Sequence, residues 1–367
     1  MPDTWILYDD VETGHHLGYV DRIVDAVQRA GIRPIVASPI PPATLTHTGT
    51  WIPVRTKSLR SVVHNWRQMR RVAAIGRRLG ATTFIDLYLD KNVWASGAVR
   101  SYDKTVHVVH HAIQYRSDVR RGVARVRTAI LRRQLRRMIN RGASVLVHTQ
   151  RAAEIIGEAA RVSHVQIVGY PVPVSSQRAR RDRQDPPILL FTGAGRFHKG
   201  LDILIDALPL VHSHVRLRVV GAQPPGLRET LDPGGSSITW INRRVTDDEL
   251  WEEYEHASLA ILPYRQVFGA DGGASGVLLE MLGCGLPIVT TPGLSAQLPP
   301  DRRGAVVADS DNPADLANAI DIALDRLDEL TDEASEVGPR FIAENHSYDL
   351  YVEALADAAK QTPIQSP

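Results

Sequence analysis

Residues 272–292 read GGASGVLLEMLGCGLPIVTTP, and this stretch parses into a loop, a helix, a turn and a strand. Gly272, Gly273 and Gly276 keep side chains away from the place where the helix begins. The first N–H groups of a helix at 277–282 are thereby left pointing at whatever anion approaches. Glu280 follows about one turn later, within reach of hydroxyls on the same ligand. Cys284-Gly285-Leu286-Pro287 stops the helix, and the β-branched run Ile288-Val289-Thr290-Thr291 suits a buried parallel strand. A tight connection in an α/β domain would use the same residues, so one glycine turn does not decide between fold and phosphate seat.

Working upstream, a second stretch carries the same grammar. Apolar Ile188-Leu189-Leu190 leads into FTGAGRFHKG at 191–200, then a helix at 201–208 with Asp202 and Asp206 expected to face water. Arg196 and Lys199 add two cations to a strand, glycine turn and helix start, a combination that grips a diphosphate from opposite sides.

Apolar runs alternate with helical patterns along the whole chain, the sign of βαβ units and parallel sheets. In the first half, strands are expected at 5–8, 33–37, 83–87, 106–110 and 144–149, with helices at 19–30 and 58–79. Two prolines and an arginine-rich polar stretch at 168–185 mark the link between domains. The second half offers strands at 188–192, 216–220, 237–241, 259–262, 288–291 and 305–307, a helix at 313–327 and another at 347–360. A chain of 367 residues exceeds what one core usually holds. The expected domains are therefore 1–172 and 187–345, with 346–367 as a terminal helical segment.

Composition is that of a globular protein, 43% apolar and 23% charged. The single cysteine, Cys284, rules out an internal disulfide and fits a reducing cytoplasm. No run approaches a membrane span, and residues 1–10 lack an export leader. Net charge is +2, but residues 1–172 hold 26 Lys+Arg against 12 Asp+Glu, and residues 173–367 hold 17 against 29. The excess of arginine concentrates at 116–141, where Val119, Val123, Val126, Ile130, Leu135 and Met138 recur at helical spacing. Such a helix either rests on an anionic surface or is a solvated domain face paired with the acidic half.

GAGRFHKGLDILIDAL at 193–208 followed by SGVLLEMLGCGLPIVTT at 275–291 resembles the donor domain of retaining GT-B glycosyltransferases of family 4. The resemblance extends to Trp240-Ile241-Asn242-Arg243-Arg244-Val245 and Leu262-Pro263-Tyr264-Arg265. It implies an α/β fold of two Rossmann-like domains with parallel sheets facing an interdomain cleft. It also implies transfer of a sugar, with retention and without metal or other cofactor, from a nucleotide-diphosphate sugar to an acceptor hydroxyl. By that resemblance Arg196 and Lys199 stabilise the diphosphate, with N–H groups near Ser275, Gly276 and Val277. Glu280 holds the ribose, backbone near Arg243 and Arg244 meets the base, and Gly195, Gly273 and Ala274 complete the donor contacts. The terminal helix would cross back onto the first domain.

In the first half the resemblance points to the loop after strand one, with His15, His16, Gly18 and Tyr19 toward the acceptor, and to His110 at the end of the fourth expected strand, near the reacting sugar. Such enzymes commonly carry a second glutamate eight residues before Glu280. Here that position is Gly272, and Asp271 is the neighbouring candidate to replace it. The acceptor is left open among lipid-linked, small-metabolite and polysaccharide hydroxyls, with the basic helix tilting toward an anionic or membrane-surface one at the inner face. No nucleic-acid partner is expected. A sugar-nucleotide epimerase, a pseudo-glycosyltransferase or a binding protein that has lost activity would share most of these residues. The pairs Asp86/Asp90 and Asp309/Asp311 read as structural rather than metal-binding.

Overall fold

The structure, a computed structural model, describes residues 3–11, 16–56, 62–116, 118, 122–173, 184–231 and 238–360. The chain divides into two compact units. Met1–Pro171, Asp271–Gly273 and Tyr348–Pro367 form one, and Val172–Ala270 with Ala274–Ser347 the other.

The first unit is built on seven parallel strands: β1 (Thr4–Tyr8), β2 (Arg33–Ser38), β3 (Thr50–Pro53), β4 (Thr83–Asp86), β5 (Lys104–Val109), β6 (Ser144–Val147) and β7 (Gln166–Ile167), in the order β3-β2-β1-β4-β5-β6-β7. Every residue of β1 is buried, which is why TWILY carries no polar alternation. Trp5 and Leu7 face the helices His16–Arg29 and Tyr348–Lys360, whereas Ile6 and Tyr8 face the helix Val62–Arg78. The terminal helix places Tyr351, Val352 and Leu355 in the first core, a contribution of about 1.5–3 kcal/mol for each large side chain.

The second unit has six parallel strands: β8 (Ile188–Thr192), β9 (Arg216–Val220), β10 (Ile238–Ile241), β11 (Leu259–Leu262), β12 (Ile288–Thr290) and β13 (Ala305–Val307). Their order is β10-β9-β8-β11-β12-β13. Chain order reverses between β8 and β11, so the loops leaving these two strands flank the place where such sheets hold ligands. Both loops carry the motifs singled out above.

Four elements differ from the expectation. β3 and β7 are short edge strands, and Pro53 in one and a length of two residues in the other left no periodic signal. The long helix Leu327–Asn345 contains Gly338 and Pro339, which read as breakers. Gly338 is there because a β-carbon would meet the carbonyl oxygen of Leu282 on the helix packed against it. The helix Gly122–Ile139 buries Thr128, Leu131, Leu135, Met138 and Ile139, so of the expected apolar row only Leu135 and Met138 are buried among the described residues. Val123, Val126 and Ile130 are 87%, 61% and 43% exposed, because the stripe at 128, 131, 135 and 138 is the one that meets the sheet. Val119 lies outside the described residues.

Candidate functional site

β8 ends at Thr192 and the backbone turns at once through Gly193, whose φ of 113° suits only glycine. A β-carbon there would occupy the space held by the Lys199 ammonium. Gly193 therefore makes room for the cation and does not only bend the chain. Lys199 closes a short 3-10 turn, Phe197–Lys199, ahead of the helix Leu201–Ala207, and its Nζ stands 5.3 Å from the ring centre of Tyr264. The cations thus stand just before the helix, as the expected start at 201 implies. Neither Arg196, which is exposed, nor Lys199 forms an ion pair among the described residues.

Arg265 fixes this turn from outside. It donates to both oxygens of Asp202 at 3.0 and 2.7 Å, to the Phe197 carbonyl at 2.7 Å, and lies over the Phe197 ring at 4.0 Å. Asp202, expected to face water, is therefore a partner. Burial alone would raise its carboxyl pKa, but Arg265 overrides it and the net shift is downward. Behind the turn, Gln223 donates from Nε2 to the carbonyls of Gly193 and Gly221 at 2.8 and 2.9 Å, and its N–H donates to Asn242 Oδ1 at 2.7 Å. The loops after β8, β9 and β10 are joined through one buried amide, which sequence reasoning missed. Gly195 packs where a side chain would strike that amide.

The helix Gly276–Gly283 follows β11. Ser275 caps it, accepting from Leu278 N–H at 3.2 Å, while its own N–H donates to Gln297 at 2.9 Å. Among the described residues Gly276 and Val277 N–H have no acceptor, so the two orphans of the first turn are available to an anion. Glu280 is half-buried, and Tyr254 donates to its Oε2 at 3.2 Å. Burial, then the charge of Glu280, pushes the Tyr254 phenol well up, so it stays a donor. Tyr254 lies on the helix Asp247–His256, and nothing in its local sequence marked it as the partner of Glu280.

Two side chains of the expected donor region are engaged within the protein, while the expectation at Arg243 and Arg244 concerned their backbone. The guanidinium of Arg243 donates to both oxygens of Glu249 at 2.9 and 2.6 Å and belongs to the cap of that helix. Glu249 falls to about 2 as a result. Arg244 is exposed beside it. Asp271 does not project toward a ligand: its carboxylate accepts from Arg116 at 2.7 Å. A β-carbon on Gly272, with φ 76°, would stand 2.9 Å from Ala152 Cα, so no glutamate fits at this position. The backbone of Gly273 and Ala274 leads from here into the cap.

In the first unit, His110 follows β5 where expected, and His111 stands next to it. His110 donates from Nε2 to the Leu87 carbonyl at 2.8 Å, its ring packed with Tyr88 and His148 at 4.9 and 4.7 Å. His111 is exposed and its Nδ1 lies 2.6 Å from the buried Asp90. Burial would raise the Asp90 pKa, yet its hydrogen bond and charge interaction with His111 bring it below the ordinary value. Tyr19 is 3% exposed and its hydroxyl is shared with Tyr351 at 2.7 Å, so it supports the core and does not reach a ligand. His15 and the His16 side chain lie outside the described residues; Gly18 is half-buried in the helix.

A cavity of about 670 Å³ opens beside this pair, lined by Tyr88, Asp90, His111 and Arg127 together with Asn65 and Gln114. Asn65 Oδ1 and Gln114 Nε2 are buried without a partner, which suits a ligand that brings hydroxyls. Asp86 and Asp90, four residues apart, each face a histidine four apart, His107 and His111. The β4–β5 register sets Asp86 opposite His107, and the segments that follow these strands bring Asp90 to His111. Sequence spacing showed the Asp86/Asp90 doublet, which read as structural; the facing histidines His107 and His111 escaped because strand pairing brings them there. Among the described residues no three His, Cys, Asp or Glu side chains gather as a metal site.

Residues 186–326 match the family model described as glycosyl transferases group 1. A search of curated proteins finds no match. Over 97% of its length the chain is similar to sucrose-phosphate synthase from Thermosynechococcus elongatus, with a TM-score of 0.72, 16% identity and 98% of that chain covered. A glycosyltransferase from Rickettsia africae gives 0.74 at 13% identity, covering 98% of this chain and 100% of that one. Anabaena HepE, solved with UDP, gives 0.70 at 15%, covering 98% and 99%. The two-sheet architecture expected from the sequence is therefore the GT-B fold.

Proposed function

Taking the chain as a glycosyltransferase of the GT-B fold, we propose that it moves a sugar from a nucleotide-diphosphate donor to an acceptor hydroxyl, with retention of configuration and without a metal ion. The observation that carries this is the pairing of Arg196 and Lys199 after β8, which form no ion pair among the described residues, with two N–H groups after β11 that lack an acceptor among them, on neighbouring parallel strands. Cleaving the bond between the anomeric carbon and the diphosphate leaves negative charge on the phosphate oxygens. Donors fixed in advance around those oxygens stabilise that charge more in the transition state than in the bound donor. Glu280, steadied by Tyr254, accepts from the ribose hydroxyls, and the nucleotide base lies along the backbone near Asn242 and Arg243. The leaving phosphate takes the acceptor proton, so no protein nucleophile is required.

The acceptor belongs to the cavity beside Asp90 and His111, where a carboxylate-steadied imidazole can orient a hydroxyl; His110 supports it from within the aromatic cluster. With Gly272 against Ala152 and Asp271 held by Arg116, one hydroxyl contact to the donor sugar is missing. This favours a donor that lacks or modifies that hydroxyl.

The chain is further read as cytoplasmic and peripheral. Among the described residues no helix is long and apolar enough to cross a membrane. The exposed Val123, Val126 and Ile130, interleaved with arginines on the helix Gly122–Ile139, match an anionic inner leaflet by apolar insertion and charge.

Mass spectrometry of products against a panel of nucleotide sugars, with UDP and GDP carriers, tests the proposal. Lys199→Ala should lower kcat/KM by roughly 10- to 150-fold, the value of one charge-assisted hydrogen bond, while the thermal transition is kept. Full turnover in that variant, or hydrolysis and epimerisation of donor with no acceptor product, would overturn it.

A further inference from the structure

A second cavity, of about 490 Å³, lies where the chain enters β5 and β6 of the first sheet. Arg100 and Tyr102, which precede β5, and Arg141 and Ala143, which precede β6, line it, so it opens at the amino ends of the strands and away from the carboxyl-end loops described above. Its walls bring together Trp66, Trp94, Arg100, His107, Arg137 and Arg141, and no Asp or Glu lines it among the described residues. None of the three arginines forms an ion pair among those residues. Three like charges facing one hollow repel one another, a cost that an anionic ligand would remove.

The floor of the hollow is His107, 1% exposed on β5. Its Nδ1 faces Asp86 Oδ2 at 3.4 Å, and Asp86 Oδ1 accepts from Asn92 at 2.9 Å. The carboxylate selects the tautomer with hydrogen on Nδ1, leaving Nε2 with a lone pair. That Nε2 is buried and has no partner, and an orphaned acceptor at the base of a cavity calls for a hydroxyl donor. Arg70 covers one face of Trp66 at 5.1 Å, and the two indoles offer the flat apolar surface on which the C–H face of a sugar ring packs.

We propose that this pocket binds a phosphorylated sugar or cyclic polyol. The phosphate takes the guanidinium groups of Arg100, Arg137 and Arg141, the ring lies on Trp66 and Trp94, and one ring hydroxyl donates to His107 Nε2. The same chemistry exists free in solution and as the phosphoinositol headgroup of a lipid. Trp94 also lines the cavity beside Asp90 and His111, so an occupant here touches a wall of the acceptor cavity without entering it. The proposal does not rest on the transfer reaction.

Titration calorimetry of the full chain with glucose 1-phosphate, glucose and inorganic phosphate tests it, alongside flotation with phosphatidylinositol and phosphatidylglycerol vesicles. Glucose 1-phosphate should bind at least tenfold more tightly than inorganic phosphate or glucose, and saturating UDP should not displace it. The double variant Arg100→Ala, Arg137→Ala, with an unchanged melting temperature, should bind about 100-fold more weakly, tenfold for each charge-assisted hydrogen bond lost. His107→Gln, which retains polarity but not the ring geometry, should weaken glucose 1-phosphate while leaving inorganic phosphate unaffected. Binding to phosphatidylinositol vesicles that glucose 1-phosphate competes away would identify the lipid headgroup as the source, and its absence the free sugar phosphate. No binding, equal affinity for inorganic phosphate, competition by UDP, or unchanged affinity in the double variant would overturn the assignment.

Discussion

Gly193→Ala is the sharpest probe of the donor site, because one methyl group acts on two separable quantities. At φ 113° an alanine sits in a region L-residues rarely adopt, a strain of about 1–3 kcal/mol. For a domain of this size that lowers the melting temperature by roughly 2–4 °C per kcal/mol. The same methyl lands where the Lys199 ammonium stands and drives that cation off the diphosphate. A lost charge-assisted hydrogen bond of about 1.5–3 kcal/mol is roughly a 10- to 150-fold fall in kcat/KM. The decisive assay is a cycle with Lys199→Ala, scoring kcat/KM and thermal stability in all four proteins. In the Lys199→Ala background the methyl has no ammonium to displace, so Gly193→Ala should still lower the melting temperature but cost little further activity. Equal activity losses in both backgrounds would show that Gly193 serves only the backbone and that Lys199 is not held where the diphosphate needs it.

Tyr254→Phe should weaken UDP binding by about 3- to 10-fold, read by calorimetry, since Glu280 loses its steadying donor but keeps its own bonds to the ribose. Asp202→Asn should release the turn carrying Lys199. Because the folded-state pKa of Asp202 is lowered, its contribution is fully present above the ordinary carboxyl range. The stability gap between the two proteins should stay constant from pH 8 to 5, then close as pH falls below about 4. A gap that instead grows on acidification would contradict the pairing with Arg265. Val126→Glu should abolish flotation with phosphatidylglycerol vesicles at low salt while leaving donor binding intact, and undiminished flotation would remove the helix Gly122–Ile139 from the membrane reading.

The sequence carried most of the architecture because parallel strands buried on both faces announce themselves as apolar runs, as in TWILY and ILLFT. It also carried the phosphate-side motifs, whose glycines and cations are local in the chain. It did not carry edges, where β3 holds a proline, nor the helix across Gly338 and Pro339, whose breakers are excused by a neighbour's carbonyl. In the site, what escaped were contacts between distant segments. Tyr254 with Glu280, Gln223 with Gly193, and Arg116 with Asp271 join residues 26, 30 and 155 positions apart. The apolar stripe of the helix Gly122–Ile139 was misplaced for a related reason: two faces carry apolar residues, and only the packing chooses between them.

The paired doublets Asp86/Asp90 and His107/His111 carry a meaning beyond ligand recognition. Asp86 and His107 are both buried and stand opposite each other on adjacent parallel strands. Sliding one strand past the other by a single residue would turn one of them to the opposite face and strand a carboxylate and an imidazole apart in an apolar interior. The five hydrophobic residues that accompany them on β4 and β5 would tolerate many such offsets. This polar pair would not, so the alignment of β4 with β5, and with it the origin of the loops that bear Asp90 and His111, is held by one buried contact.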